Sequence, residues 1–447
     1  MRLKAVRIGL SALLVCFAVA GCRREETLGQ NRIKVLASST EQQFFAKYGN
    51  YFAARFPDLN VEFASSSEVQ SGSGTVQAYT RTLEVEKPDL VLLGSSAYVE
   101  LAKSGLLLDL NPFIRRDRFD IEQITPAVVN LLTSAQDKKL YGLGTSFTSS
   151  VLLYNKDLFQ EYAVPEPIGS ISSEQLYSFS RHFSTDDSRR GVYGYHQPFM
   201  PSPFSFVQQI AASDGLSLVN PSVRQITINT EGWRKAFQLV ADGIQNSSIG
   251  SGYRITNGKV EKADILNADL FAQGKAAMTI ANFAAISELA AKPPAFQWEI
   301  AGAPAVQSAE AMSRNLDMSS PIFTIYANAD HVESAWQVLQ YLNSDTAARV
   351  NSGLKASDLP ARRKYAPNLA GHDIDIFYRA SSFGTDSIIS TDDYNALPLP
   401  FRQVMGSIIT EQFDSVLTGK STLDEALVRM QEQEQAALDA AFAAETK

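Results

Sequence analysis

Cysteine is nearly absent from this chain of 447 residues: Cys16 and Cys22 are the only two. A disulfide framework or a thiolate metal site would need cysteines further along the chain, so the sequence excludes both beyond residue 22. Histidine is also scarce, with four copies, and neither an H-E-x-x-H nor a G-x-S-x-G motif occurs. We therefore expect no metal, no cofactor and no enzymatic activity. A carboxylate pair of the glycosidase type leaves no motif in a sequence and stays open at this point.

An excess of positive charge is missing as well. Lys and Arg number 40 against 48 Asp and Glu, which gives a formal net charge of −8. An acidic chain gains nothing by releasing the counterions of a polynucleotide, so we expect no nucleic-acid partner. No apolar run beyond residue 21 reaches the ~18 residues of a membrane-spanning helix. The hydrophobic fraction of 45% is ample for large cores, and the length indicates two or more domains.

The N-terminus has the pattern of a signal peptide. A short cationic region precedes an uncharged apolar stretch over residues 8–20, and this stretch is too short to cross a ~30 Å hydrocarbon core permanently. Residues 19–22 (VAGC) resemble the lipobox of bacterial lipoproteins. The resemblance implies lipidation of Cys22 and a membrane-anchored, extracytoplasmic protein at the cell surface or in the periplasm. Residues 1–21 would be removed, and the polar residues 22–31 would form a tether. The alternative is an ordinary signal peptide that ends near a chance cysteine.

Beyond the tether, strand patterns alternate with helix patterns. Apolar runs indicate buried strands at 33–37, 61–63 and 90–93. Aromatic residues spaced three or four apart over 41–56 indicate a helix face. This alternation predicts an α/β fold with a mainly parallel sheet, in which ligands bind beyond the carboxyl ends of the strands. Serines follow the three strands at 38–39, 65–67 and 95–96. They indicate ligand-binding loops or, alternatively, ordinary turns.

Several segments resemble one family when they are taken together and in order. They are KPDLV at 87–91, LAKSGLLLDL at 101–110, LYGL at 140–143, LYNKDLF at 153–159, FAQGKAAM at 271–278, a Trp-containing helix at 335–342, LPAR at 359–362 and the stretch from LTGK to residue 427. Over roughly residues 33–440, the chain resembles the extracellular solute-binding proteins of carbohydrate-type ABC importers. This is the maltose-binding-protein-like group, bacterial solute-binding protein family 1.

The resemblance implies a two-lobe periplasmic-binding-protein fold of the α/β class, with a ligand cleft between the lobes. About three crossover segments are expected, near 143–148, 280–284 and 318–323. Lobe one would contain 32–144 and 284–318, and lobe two would contain 150–280 and 324–440. The lobes are expected to close on the solute.

The resemblance also implies a function. The chain would be the solute-binding component of an ABC importer, a monomer that captures a small solute, with a sugar or oligosaccharide expected first. Its partners would be that solute, the permease subunits in the membrane, and the membrane itself through the lipid. Two alternatives stay open, namely a sensor for a membrane signalling protein and a binder of a non-sugar solute such as a polyol or a polyamine.

A sugar site needs polar side chains for the hydroxyls and aromatic rings for the apolar faces, in a concave pocket. At the strand ends of lobe one, the candidates are Glu41, Gln42, Ser67, Ser95, Ser96 and Tyr98. At the crossings and in lobe two, they are Ser146, Phe147, Thr148, Gln197, Phe199, Asn282, Phe283, Ser319, Ser320 and Arg362.

Some of these candidates also have plainer interpretations. The segment Gln197-Pro198-Phe199 matches one that contacts sugar in the maltose-binding relatives, and we expect Phe199 to face Tyr98 across the ligand. Phe283 stands near the place where relatives often carry a tryptophan. The aromatic residues could instead be core residues, and Arg362 could pair with an acid.

Overall fold

The computed structural model describes residues 32–302, 316–379 and 397–445, apart from 65, 71–75, 135, 170, 184–190, 221, 266, 353–357 and 370. The expected signal peptide, Cys22 and the tether lie outside the described residues. Within the described part of the chain, no helix is both long enough and apolar enough to cross a membrane.

The first sheet has five strands in the order β2-β1-β3-β15-β4. They are β1 (Arg32–Ala37), β2 (Asn60–Phe63), β3 (Leu90–Leu93), β4 (Gly142–Leu143) and β15 (Ile322–Ile325). β1 pairs in parallel with β2 and β3, whereas β15 runs antiparallel to β3 and β4. The carboxyl ends of β1, β2, β3 and β4 and the amino end of β15 therefore share one edge.

The second sheet has the order β13-β5-β12-β6-β9. Its strands are β5 (Ser146–Asn155), β6 (Tyr193–His196), β9 (Ile249–Gly250), β12 (Ala276–Asn282) and β13 (Trp298–Ala301). Two short strands, β14 (Leu316–Met318) and β16 (Leu359–Pro360), pair with the first half of β5. Two hairpins stand apart from both sheets, β7 (Val219–Asn220) with β8 (Gln225–Ile226), and β10 (Tyr253–Thr256) with β11 (Lys259–Lys262).

Helices cover both sheets. In the first half of the chain they are α1 (Glu41–Arg55), α2 (Ser67–Gln70), α3 (Val76–Glu86), α4 (Ser95–Lys103), α5 (Asn111–Arg116), α6 (Pro126–Leu132), α7 (Lys156–Glu161), α8 (Ser173–Arg181) and α9 (Phe204–Ser213). In the second half they are α10 (Glu231–Gln245), α11 (Phe283–Ala291), α12 (Val332–Leu342), α13 (Asp345–Ser352), α14 (Asp375–Arg379), α15 (Leu399–Leu417) and α16 (Leu423–Glu445).

Local sequence explains why α1 begins where it does. The Thr40 hydroxyl accepts a hydrogen bond from the Gln43 backbone N–H at 3.3 Å, and the Gln43 side chain accepts one from the Thr40 N–H at 3.0 Å. This reciprocal capping satisfies two amide groups that a helix start would otherwise leave free. Phe44, Tyr48 and Phe52 then fall on one buried face, as the 3–4 spacing predicts.

Two hydrophobic cores fill the spaces between these layers. Successive residues of β5 point to opposite faces, so Val151 and Leu153 belong to the first core, whereas Leu152 and Tyr154 belong to the second. The first core lies against the first sheet and continues onto one face of the second sheet. The second core covers the other face of the second sheet.

The expected assignment of residues 324–440 to lobe two needs correction. The strand β15 pairs with β3 and β4 in the first sheet. Trp336 and Leu339 of α12 and Phe377 of α14 lie in the first core. Among the described residues of this range, Leu397 and the apolar faces of α15 and α16 lie in the second core. Within 284–318, the assignment is mixed, because α11 packs into the first core while β13 hydrogen-bonds to β5 in the second sheet.

Candidate functional site

The polar edges of the two sheets meet at the connection from β4 to β5. β4 ends at the carboxyl edge of the first sheet, and β5 begins three residues later, at Ser146. Because β5 runs antiparallel to β12, which is parallel to β6, its amino end lies at the carboxyl edge of the second sheet. The connection is tightly packed, since a Cβ atom on Gly144 would lie 2.2 Å from the Met318 Cε. The strand ends expected to bind ligand therefore converge on this connection.

A short ribbon of β14, β5 and β16 holds the connection together. Ser320 is buried and links the ribbon to the connection. The Ser320 hydroxyl oxygen accepts hydrogen bonds from the Thr145 and Ser146 N–H groups at 3.0 and 3.2 Å. The Ser319 hydroxyl donates to the Ser146 hydroxyl at 3.1 Å. Thr148 lies opposite Asp317 in the pairing of β5 with β14. The structure thus brings together the predicted residues Ser146, Thr148 and Ser319.

At the edge of the first sheet, the predicted polar side chains stand at helix starts. Glu41 and Gln42 lie in the first turn of α1, Ser67 begins α2 and Ser96 lies in the first turn of α4, and all four are exposed. Ser95 donates its hydroxyl hydrogen bond to Asp317.

Asp317 is a residue that the sequence analysis missed. It lies one residue before the expected crossing segment 318–323. That position, next to a predicted crossing, was the one signal that could have identified it.

At the edge of the second sheet, Gln197 and Asn282 follow the parallel strands β6 and β12. The Gln197 Oε1 accepts hydrogen bonds from the Ile280 N–H at 3.3 Å and from the Tyr195 hydroxyl at 3.5 Å. The Asn282 side chain caps α11 by accepting from the Ala285 N–H at 3.0 Å. Both ring nitrogens of His196 contact backbone carbonyl oxygens, those of Gly250 at 2.6 Å and Ala268 at 2.8 Å. The end of β6 is therefore firmly anchored.

Phe199 is the one predicted aromatic residue that the structure leaves exposed. Its side chain is 69% exposed and its φ is +62°, a conformation that bulky residues rarely adopt. The Tyr253 hydroxyl donates to the carbonyls of Met200, at 3.1 Å, and Pro201. The loop that carries Phe199 is thus tied to the β10–β11 hairpin.

Three other predicted aromatic contacts are core residues. Phe147 and Phe283 are fully buried, and their rings pack edge-on against Tyr378 and Phe377. Tyr98 is only 4% exposed, and its hydroxyl donates to the Leu132 carbonyl at 2.5 Å. Burial raises the pKa of the Tyr98 hydroxyl well above its usual range. The expectation that these rings contact the ligand therefore needs correction for this conformation, since none reaches a cleft surface.

Arg362 is likewise used internally. Arg362 is 2% exposed, and its guanidinium forms a bidentate ion pair with the Asp120 carboxylate, with both hydrogen bonds 2.7 Å long. Its Nε donates to the Asn343 carbonyl at 2.9 Å. With its donors engaged in this way, the guanidinium is not available to a solute, and the plainer interpretation of Arg362 as a structural ion pair fits the geometry.

The candidate residues at the two sheet edges that remain accessible carry hydroxyl, amide and carboxylate groups, and Phe199 is the exposed ring among them. No group of three or more His, Cys, Asp or Glu side chains is placed to hold a metal ion within the described ranges. Hydroxyls, amides and carboxylates bind hydroxyl-rich or other polar solutes through hydrogen bonds.

Comparison with known proteins agrees with this architecture. A model of the bacterial extracellular solute-binding protein family matches residues 37–349. A binding protein of Brucella abortus (strain 2308) is 22% identical over 455 residues, which cover 96% of this chain and 97% of that relative. The solved sugar-binding protein MalE of Xanthomonas citri has a TM-score of 0.60 at 16% identity, over 92% of this chain and 98% of that chain.

An extracellular solute-binding protein of family 1 from Alicyclobacillus acidocaldarius has a TM-score of 0.62 at 14% identity, over 91% of this chain and 98% of that chain. The two-lobe periplasmic-binding-protein fold expected from the sequence is thereby confirmed. Because the family model spans most of the chain, this protein belongs to family 1 of the bacterial extracellular solute-binding proteins, the family that serves ABC importers.

Proposed function

We propose that this protein captures a small polyhydroxylated solute, a sugar or a short oligosaccharide, between its two lobes and delivers it to the permease subunits of an ABC importer. The observation that carries the proposal is the convergence of both polar sheet edges on the β4–β5 connection. Hydroxyl and amide groups from two sheets can surround a solute there, and closing of the lobes around it would complete the binding site. The sugar-binding protein of Xanthomonas citri with the same fold supports this choice of solute class.

The solute class is tested by a thermal-shift panel on purified residues 23–447. The panel contains maltose and trehalose as neutral sugars, mannitol as a polyol and spermidine as a polyamine. A true ligand at ~100 times its Kd stabilises the folded state by about 2.7 kcal/mol. We expect a shift with a sugar and none with spermidine. A shift with spermidine alone would contradict the sugar proposal.

Lobe closure provides a second readout on the same samples. Small-angle scattering should show a smaller radius of gyration when the stabilising solute is added. An unchanged radius at saturation would contradict capture by closure while leaving the solute class intact.

We also propose that the protein is held at the membrane by a lipid on Cys22. The support is the lipobox-like run at residues 19–22. In detergent-phase partitioning, the parent protein should enter the detergent phase, and Cys22→Ser should give unprocessed precursor or protein in the aqueous phase. A processed Cys22→Ser protein that still enters the detergent phase would contradict the anchor.

A further inference from the structure

Asp317 presents an unused carboxylate oxygen at the connection between the lobes. It is exposed, and it lies in β14 opposite Thr148 of β5. Its Oδ1 accepts hydrogen bonds from the Ser95 hydroxyl and from the Met318 N–H, the latter at 2.8 Å. Its Oδ2 accepts none from the described residues. These two donors hold the carboxylate in place, and one oxygen remains available to another molecule.

The same carboxylate has no cationic partner among the residues that the structure describes. No Lys, Arg or His in the described part of the chain forms an ion pair with Asp317. The one cation predicted for the site, Arg362, pairs with Asp120 instead and is 2% exposed. Glu41, at the same edge of the first sheet, adds a second negative group. The described edges therefore carry negative charge that no described cation neutralises.

From these observations we infer that Asp317 contacts the solute through Oδ2 and selects neutral polyhydroxylated or cationic solutes against anionic ones. The inference rests on the proposed function, since it assigns a role within that site. A carboxylate is an acceptor only, so it can bind solute hydroxyls or an ammonium group. A solute carboxylate or phosphate would face it without a compensating cation, and such juxtaposed like charges disfavour binding.

The test uses probes that share a carbon skeleton and differ in charge. They are glucose, glucosamine and glucuronate, with maltose and maltobionate, and mannitol and mannonate. Each is titrated calorimetrically into the full chain in detergent. We expect a neutral or amine member to bind and its acid counterpart to bind at least tenfold more weakly.

Two substitutions assign the selectivity to Asp317. In Asp317→Asn, the affinity for the bound neutral or amine probe should fall about tenfold or more, because a hydrogen bond to a charged acceptor is lost. The preference over the acid counterpart should shrink by a similar factor. Ser95→Ala removes a donor to Oδ1 but keeps the charge, so the preference should persist. The matched control Glu411→Gln removes one exposed negative charge from α15 and should leave affinity and preference within twofold.

Each outcome separates the inference from the function on which it rests. If a probe binds the parent and Asp317→Asn keeps both affinity and preference, the role of Asp317 is refuted and the proposed function stands. If the acid members bind best, the selectivity is refuted. If no probe binds the parent, both the function and the inference fall. Asp317→Ser serves as a second variant, and thermal unfolding without solute verifies that each variant is folded.

Discussion

Tyr98 and Phe199 were expected to face each other across the ligand, yet they differ greatly in solvent exposure. Tyr98 is 4% exposed and Phe199 is 69% exposed. Both follow the carboxyl end of a parallel strand, so that position alone does not decide exposure. Tyr98 lies in the first turn of α4, where helical spacing places it with Leu101 on the buried face. Phe199 lies in a proline-rich loop that cannot form a regular helix.

The two hydrophobic cores differ in how they accommodate a buried carboxyl group. In the first core, the Asp89 carboxylate accepts hydrogen bonds from the Lys34 and His331 N–H groups, each at 2.8 Å. In the second core, Glu434 of α16 is fully buried, and neither carboxylate oxygen has a hydrogen-bond partner among the described residues. In the first core, backbone donors therefore satisfy the buried carboxyl group of Asp89. In the second core, burial without such donors favours the protonated form of Glu434. Substitutions at four positions test these two contrasts.

Truncating Tyr98 should produce the largest effect. Tyr98→Ala removes a buried ring and leaves a cavity, so the free energy of unfolding should fall by about 3–5 kcal/mol. The Tyr98→Phe variant should lose about 1–2 kcal/mol, because the Leu132 carbonyl and the Tyr141 N–H lose their partner. Urea unfolding measures both changes. The neighbouring Val99→Ala, on the exposed face, is the control and should change stability by less than about 0.5 kcal/mol. A small effect of Tyr98→Ala would mean that its ring is not a core element.

Glu434 should make stability depend on pH. Burial raises the pKa of its carboxyl from 4.5 to about 8. Between these two values the folded protein keeps a proton that the unfolded chain has lost, so this group lowers stability as pH rises from 4.5 to 8. Glu434→Gln removes the dependence and should stabilise the protein by roughly 2–4 kcal/mol at pH 9, with little gain at pH 4. Chemical unfolding at several pH values measures it. The exposed Glu432→Gln should have no such effect, and an equal gain at both pH values would refute the assignment.

Much of the fold could be predicted because it follows from local periodicity. The aromatic spacing of α1 and the apolar runs of β1 and β3 appear in the structure where the sequence places them. The position of β15 could not be predicted in this way. Four apolar residues indicate a strand but do not specify its partner, and here the partners are β3 and β4. A pairing between distant segments is decided by tertiary packing, so 324–342 was assigned to the wrong lobe.

The site was predictable only in outline. The serines after strands and the Gln197 segment lie at the carboxyl edges of the two sheets, because parallel strands end at the same edge. Whether these edges bind the solute stays a prediction. Asp317 was not among the candidates because its position next to a predicted crossing was its one signal, and a single carboxylate belongs to no periodic pattern. The sequence could not decide between the two interpretations of Arg362. Its partner Asp120 is 242 residues away in the chain, and only the fold brings the two together.

Removing Arg362 should affect stability and leave binding unchanged. Arg362→Ala breaks the pair with Asp120 and leaves the Asn343 carbonyl without this donor. Because Asp120 is 45% exposed, the loss should be about 2–3 kcal/mol, below the ~3–5 kcal/mol of a fully buried pair. Denaturant unfolding measures the loss, and calorimetry with the identified solute should give a Kd within twofold of the parent. A large affinity loss in a stable variant would restore the original expectation of a ligand contact.

Phe199 should show the smallest effect on stability and a separate effect on binding. Its ring is exposed, so Phe199→Ala should change the free energy of unfolding by less than about 0.5 kcal/mol. If the ring covers the apolar face of a sugar, the same change should weaken binding by roughly 1–3 kcal/mol. Phe199→Gly removes the same ring and also relieves the positive φ. The Phe199→Gly variant should bind the solute as weakly as the alanine variant while being more stable than it by up to about 1 kcal/mol.

Ile168→Ala, at a 91% exposed position, is the matched control and should alter neither stability nor affinity. Calorimetric titration and urea unfolding of the three variants measure both. Affinities within twofold of the parent for both Phe199 variants would mean that this ring, although exposed, does not contact the solute.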